Sequence, residues 1–251
     1  MKFSLKSGLI FVFLFMFIFI FTGCEKITVI NDTFELIGEM QWEMAKDFSE
    51  GLAAVKKDGK WGFIDNTGKI VIEPQYNDVW FFKEGLCAVQ NERKWGFIDN
   101  TGKIVIEPLY QAAWFFNEDR AVVKLNEKYG FIDKNGNLIV EPQYNDATDF
   151  SDGTAMIKNG KKYGYINKDG VVISDFTWAG AGIMSEGLAE VFDDYLSGFI
   201  DNTGKMVIPM QIEDAGDFHE GFAKAKIKFN WGYIDKTGQF VIDPQWTDVF
   251  D

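Results

Sequence analysis

The chain has 251 residues, with 38 acidic against 25 basic side chains and a net charge of −13. That balance excludes nucleic acid or an anionic membrane surface as a partner held by charge. A single histidine and two cysteines exclude a histidine-based triad and the usual His/Cys zinc sites.

The N-terminus reads as a secretory signal. Lys2 and Lys6 precede an unbroken apolar run of 14 residues from Gly8 to Phe21. That run is short for a membrane span and suits a signal core. Thr22-Gly23-Cys24 follows and resembles the lipobox of bacterial lipoproteins, although Phe21 stands where Leu is usual. The resemblance implies cleavage after Gly23, lipid on Cys24, anchorage to a bacterial membrane and an extracytoplasmic location. Two or more acyl chains are what stable anchoring requires. Loss of residues 1–23 removes two lysines and no acid, so the mature chain carries −15.

From Phe48 onward a 34-residue unit repeats six times without insertion or deletion: 48–81, 82–115, 116–149, 150–183, 184–217 and 218–251. A partial copy fills 24–47 behind Cys24, with Gln41-Trp42 aligning on Gln75-Tyr76. Such a period decides the architecture first. Helical repeats of the same length are excluded by two or three glycines per unit and short runs of Val, Ile, Phe and Trp. Each unit shows three strands. In the first these are 52–56, 60–65 and 69–73, with an additional extended piece at 78–81. Asn66-Thr67-Gly68 suits a type I turn with a G1 bulge.

A second glycine column runs through Gly62, Gly96, Gly130, Gly164, Gly198 and Gly232. Each is preceded by an aromatic except at Ser197. An aromatic ring is expected to lie flat over these glycines, and the fifth unit to pack less well.

Lys60-Trp61-Gly62-Phe63-Ile64-Asp65, Asn66-Thr67-Gly68-Lys69 and Ile72-Glu73-Pro74-Gln75-Tyr76 resemble the bacterial WG-repeat family, and the pattern recurs from Phe48 to Asp251. The resemblance implies an all-β repeat common in secreted and anchored proteins, with no set reaction and no general ligand. The expected fold is an open, curved, solenoid-like array of about six and a half three-stranded units. A six- or seven-bladed propeller is the alternative. It is disfavoured by the short unit and the fractional copy.

Most residues that draw the eye have a structural reading. Cys87 occupies a column otherwise filled by alanine, a small core position. His219 shares its column with Ser49, Lys83, Asn117, Ser151 and Ser185, all turn residues. Asp65 and its equivalents supply too few oxygens for calcium and suit bonding to the turn backbone. The acidic column Glu50, Glu84, Glu118, Asp152, Glu186 and Glu220 suits a turn role, with cation binding as the lesser option.

Two features remain as candidates. Trp42, Tyr76, Tyr110, Tyr144, Trp178 and Trp246 form an aromatic column, interrupted only by Ile212, which is either a stacking stripe or a cap on each core. The first hairpin tips share no chemistry, and two of them carry Tyr195 and Phe229. Loops of this kind carry specificity on repeat scaffolds. The expected function is a non-enzymatic, lipid-anchored interaction module for protein or envelope partners, without cofactor or metal. A carbohydrate or peptidoglycan binder using the aromatic stripe is the alternative.

Overall fold

The computed structural model describes residues 42–247. They lie in the second of two compact units, Trp42–Asp251. Cys24, the apolar run before it and the partial repeat up to residue 41 fall outside the described residues.

The described residues form six antiparallel sheets of four strands. The first sheet holds β1 (Met44–Ser49), β2 (Leu52–Lys57), β3 (Lys60–Asp65) and β4 (Ile70–Tyr76). The second holds β5 (Asp78–Val79), β6 (Leu86–Asn91), β7 (Lys94–Asp99) and β8 (Ile104–Tyr110). The remaining four follow the same plan over 112–144, 146–178, 180–212 and 214–246. Every sheet is a simple meander. The sequence shows three strands per unit, and the structure adds the fourth from the short extended piece. From the second sheet on, the first strand is two residues long. In the second sheet it pairs Asp78 with Gln90 and Val79 with Val89. Two residues are too few to display a two-residue alternation.

One turn in each unit fixes the register of the last two strands. At the strand 3–4 turn, the Gly68 amide donates to the Asp65 carbonyl and the Asp65 amide to the Lys69 carbonyl. Gly68 takes φ +83° there, as a G1 bulge requires. The Asp65 carboxylate accepts from the Thr67 amide, the Thr67 hydroxyl and the Lys69 amide. The Thr67 hydroxyl is the largest influence holding its pKa below the usual carboxylate range. This is the turn role read from the sequence, and it recurs at Asp99, Asp201 and Asp235.

Side chains alternate across each strand, so each sheet buries both faces. Leu52, Ala54, Trp61, Phe63, Ile72 and Tyr76 of the first sheet pack on Val79, Phe82, Cys87, Val89 and Ile98 of the second. Phe63 meets Phe82 edge-on at 4.9 Å. The contact recurs at Phe97–Phe116 (4.9 Å), Phe131–Phe150 (5.2 Å) and Phe199–Phe218 (5.0 Å). Burial of one such ring contributes about 1.5–3 kcal/mol, and the edge-on pair about 0.5–1.5 more. Cys87 is buried in this layer, as its alanine column requires, and burial pushes its thiol pKa up.

The Trp-Gly column works differently from the expectation. A Cβ on Gly62 would lie 2.6 Å from the Pro74 nitrogen and also overlap the Ile72 carbonyl. The close neighbour is therefore the backbone of β4, where a register shift between Trp61 and Phe63 presses it inward. Within this column a ring comes close at Gly164, whose Cβ would meet the Phe176 ring at 3.3 Å, and outside it the Phe192 ring fills the Cβ position of Gly180.

The array is open. Among the described residues, inter-sheet hydrogen bonds join consecutive sheets only, such as Ser49 to Phe82 and Lys236 to Glu186. Phe222, Ile242 and Trp246 on the sixth sheet are 46%, 41% and 41% exposed. Their equivalents Leu86, Ile106 and Tyr110 are 7%, 5% and 6% exposed under a following sheet.

Candidate ligand-binding face

The aromatic column divides into core and surface. Tyr76, Tyr110 and Tyr144 are each 6% exposed and cap the core of their sheets. They cannot present faces to a sugar, which corrects the reading of this column as a continuous stacking stripe. Trp178 is half-buried, and its indole donates to the Ser174 hydroxyl at 3.0 Å. Trp42 is half-buried, and Trp246 lies at the uncovered face of the sixth sheet. Pairing is the same along the column, Tyr76 opposite Trp61 and Trp178 opposite Tyr163, so what exposes Trp246 is the lack of a following sheet among the described residues.

The acidic column is also structural, and it reaches further than a turn. Glu50 accepts the amide of Gly85, Glu118 that of Gly153, Asp152 that of Gly187 and Glu186 that of Gly221, at 2.8–2.9 Å. Glu84 accepts from both Glu118 and Asp119. Each carboxylate therefore ties its turn to the turn of the next sheet. Lys134, Lys168 and Lys236 add ion pairs at 3.1 Å to Glu84, Glu118 and Glu186. At Glu84 burial pushes the pKa up, but the Asp119 and Glu118 amides with Lys134 carry it below the usual range. Next to this column, Ser49, Asn117, Ser151 and Ser185 donate to carbonyls 33 residues ahead. These are staples, so their oxygens and hydroxyls are already in use.

The tip side chains project into solvent, while tip amides such as those of Lys228 and Phe229 donate to Glu213. Tyr195 is 84% exposed and Phe229 is 79% exposed. Lys228 and Phe229 take φ 50° and 66°, a two-residue turn with both centres left-handed. Such a turn ordinarily selects Asn and Gly, as Asp58-Gly59 nearly does in the first tip.

A third feature was not read from the sequence. The connectors after the short strands place Trp80-Phe81 and Trp114-Phe115 side by side. Phe81 and Phe115 lie 5.1 Å apart, and Trp80 meets Phe115 at 6.4 Å. The Trp80 indole donates to the Ala113 carbonyl at 3.1 Å. Beyond them Lys83, Trp114, Phe115, Asp149 and Ile183 line an open cleft of about 470 Å³. The Lys83 ammonium stands 4.4 Å from the centre of the Phe115 ring. Asp149 is half-buried, and burial pushes its pKa up against the pull of Lys83. The signal was present as a broken column: Trp80-Phe81 and Trp114-Phe115 give way to Thr148-Asp149, Gly182-Ile183 and Gly216-Asp217.

The fifth unit breaks the pattern elsewhere. Ser197 is 4% exposed, so the missing aromatic leaves no hole open to solvent. Glu190 stands where Ala54 and Ala88 stand in other units and reaches the Ser197 hydroxyl and the Ala215 amide. Burial pushes its pKa up, and Asp214 and Asp217 add to the rise.

Comparison with known proteins bears on the fold. The family model described as "WG containing repeat" matches residues 27–61, 61–95, 95–129, 129–163, 163–195, 198–228 and 231–251. A search of curated proteins finds no matching relative. A crystal structure of a eukaryotic initiation factor superposes with a TM-score of 0.53 at 11% identity, over 85% of this chain and 68% of that one. Hsv2p of Kluyveromyces lactis gives 0.42 at 10%, over 76% and 73%. At such identities only the initiation factor informs, and it informs on fold alone.

Proposed function

This chain belongs to the WG-containing repeat family, and from that premise we propose that it is a non-enzymatic interaction module, lipid-anchored through Cys24 outside a bacterial cytoplasmic membrane, that holds a protein partner. The observation that carries this reading is a division of labour. The repeated acids, serines and core rings are spent on the scaffold. The surface that differs from unit to unit, the tips with Tyr195 and Phe229 and the connectors around Phe115, is left to make contacts. Repeat scaffolds place specificity on such variable positions. The carbohydrate alternative rested on the aromatic column, and its three central tyrosines are core residues.

Two measurements test the proposal. Metabolic labelling with an alkyne fatty acid should mark the full chain and fail to mark Cys24→Ser; labelling of both, or of neither, defeats the anchor. A photo-crosslinking amino acid at position 195 or 229 should trap a discrete protein in cells. A smear indistinguishable from that of a crosslinker placed at a core position would defeat the interaction role.

A further inference from the structure

The cleft bounded by the connectors of the second, third, fourth and fifth sheets has apolar walls and one free carboxylate. Trp114, Phe115 and Ile183 supply apolar surface, and Ile183 is 49% exposed. The polar side chains around it are nearly all committed. Asn117 donates to the Phe150 carbonyl and Ser151 to the Met184 carbonyl. Thr148 accepts from the Met156 amide. The exception is Asp149, whose half-buried carboxylate has no hydrogen-bond partner among the described residues. A sugar needs several free donors and acceptors around its ring, and this cleft offers one carboxylate. An elongated apolar stem ending in a cation needs what is present.

Lys83 shows that a cation is stable here. Its column-mates Ser49, Asn117, Ser151 and Ser185 staple the next sheet. Lys83 instead extends its ammonium over the Phe115 ring at 4.4 Å, within the field of Asp149. The ring face thus already holds a positive charge supplied by the protein's own chain, in a cleft that the Asp149 carboxylate also lines. The net charge of −13 favours the approach of basic partners.

Resting on the interaction reading above, we propose that this cleft takes a basic side chain of the partner protein, arginine before lysine. Its stem lies along Trp114 and Ile183. Its head displaces the Lys83 ammonium between the Asp149 carboxylate and the Phe115 ring. Arginine is preferred because a planar guanidinium stacks on a ring and bonds a carboxylate at once.

The test is calorimetric titration of the full chain in detergent with acetyl-Leu-Arg-Leu amide and with the same peptide carrying citrulline, the neutral isostere. The arginine peptide should bind saturably and at least about tenfold more tightly than the citrulline peptide, the ratio that 1.4 kcal/mol supplies. Asp149→Asn should abolish that preference, and Lys83→Met should strengthen arginine binding severalfold by removing the competing cation. Equal affinity for the two peptides, no saturation by either, or a preference that survives Asp149→Asn would overturn the proposal. So would saturable binding of a muropeptide lost on Phe115→Ala, in favour of a glycan. Should Asp149→Asn fail to fold, the citrulline comparison and Lys83→Met still decide. A crosslinked partner at position 229 that Asp149→Asn captures as well as the parent does would sink the cleft and spare the interaction role. Failure of the parent to capture any partner would sink the role itself.

Discussion

The interface between the second and third sheets and that between the fifth and sixth share one backbone plan and are filled in opposite ways. In the first, small Ala88 lies beside large Trp95, with Trp80 packed over them. In the second, Glu190, Ser197 and Gly182 hold those three positions. Small beside large has become large beside small, and carbon has become carboxylate. Glu190 reaches the Ser197 hydroxyl and the Ala215 amide, so the swap satisfies its polar atoms although it replaces two tryptophans with far smaller residues. The edge-on phenylalanine contact survives unchanged in both, at 4.9 Å and 5.0 Å. The repeat is therefore held by a narrow set of columns: the phenylalanine pair, the carboxylate staple and the glycine beneath the strand 3–4 crossing. Around them the fill is negotiable.

The largest effect should come from the phenylalanine column. Phe97→Ala should cost about 3–5 kcal/mol, read as a shift in urea midpoint. Phe199→Ala should cost the same within error if the column alone sets interface strength. A markedly smaller loss at Phe199 would mean that the polar fill has already loosened the fifth interface, and the two would no longer be equivalent. Next comes the staple. Glu84→Ala removes the acceptor of two turn amides and the partner of Lys134. Charge-assisted hydrogen bonds to one carboxylate in a partly exposed turn put its cost at about 1–2 kcal/mol. Glu186→Ala should cost less, because its carboxylate is more exposed than that of Glu84. Equal losses would show that exposure does not weaken the staple.

How much of this was legible follows from which contacts are local. The unit length, the strands, the G1 turn and the aspartate that braces it all lie within a few residues of one another, and sequence spacing displays them. The column logic also placed Cys87 in the core correctly. What spacing could not show is where a column points across 33 to 35 residues. Glu50 bonds Gly85 in the next sheet, and nothing in the unit itself announces that. Tyr76 and Trp178 belong to one column, yet the first is core and the second is half-buried. The Gly62 column needed a close neighbour, but whether a ring or a backbone came close depended on a register shift that only the paired strands reveal. The connector cleft was hidden because its residues depart from the repeat, while the columns drew attention to what repeats.

Titration should separate the two interfaces further. Glu190 has its native pKa raised by burial, so the native state keeps a proton that the unfolded chain has released. The stability this gives is fully present below the ordinary carboxylate value and is lost as pH rises through the native value. Glu84 and Glu186 have lowered values and act in the opposite direction, their stability lost as pH falls. Glu190→Gln should therefore melt above the parent at pH 7, with the advantage shrinking toward pH 4. An advantage that holds constant across that range would mean that the amide packs better, and that charge plays no part in the difference between the interfaces.

The smallest effect separates the tips. Asp58-Gly59 and Lys228-Phe229 adopt the same turn, with φ of 51° and 74° in one and 50° and 66° in the other. A left-handed residue with a side chain costs about 1–2 kcal/mol, partly offset by the greater unfolded-state freedom of glycine, about 0.5–1 kcal/mol. Phe229 is 79% exposed, so its removal empties little of the core. Phe229→Gly should then raise stability by up to about 1 kcal/mol, with loss of the cross-link formed from position 195 if the ring makes the contact. A drop in stability would mean that the ring packs on its neighbours, and the sixth tip would join the scaffold. A gain in stability with capture undiminished would leave the ring without a role in binding. Only a more stable protein that binds less would place the cost of the strained turn against a function, because a turn selected for folding alone would carry the glycine that Gly59 supplies in the first sheet.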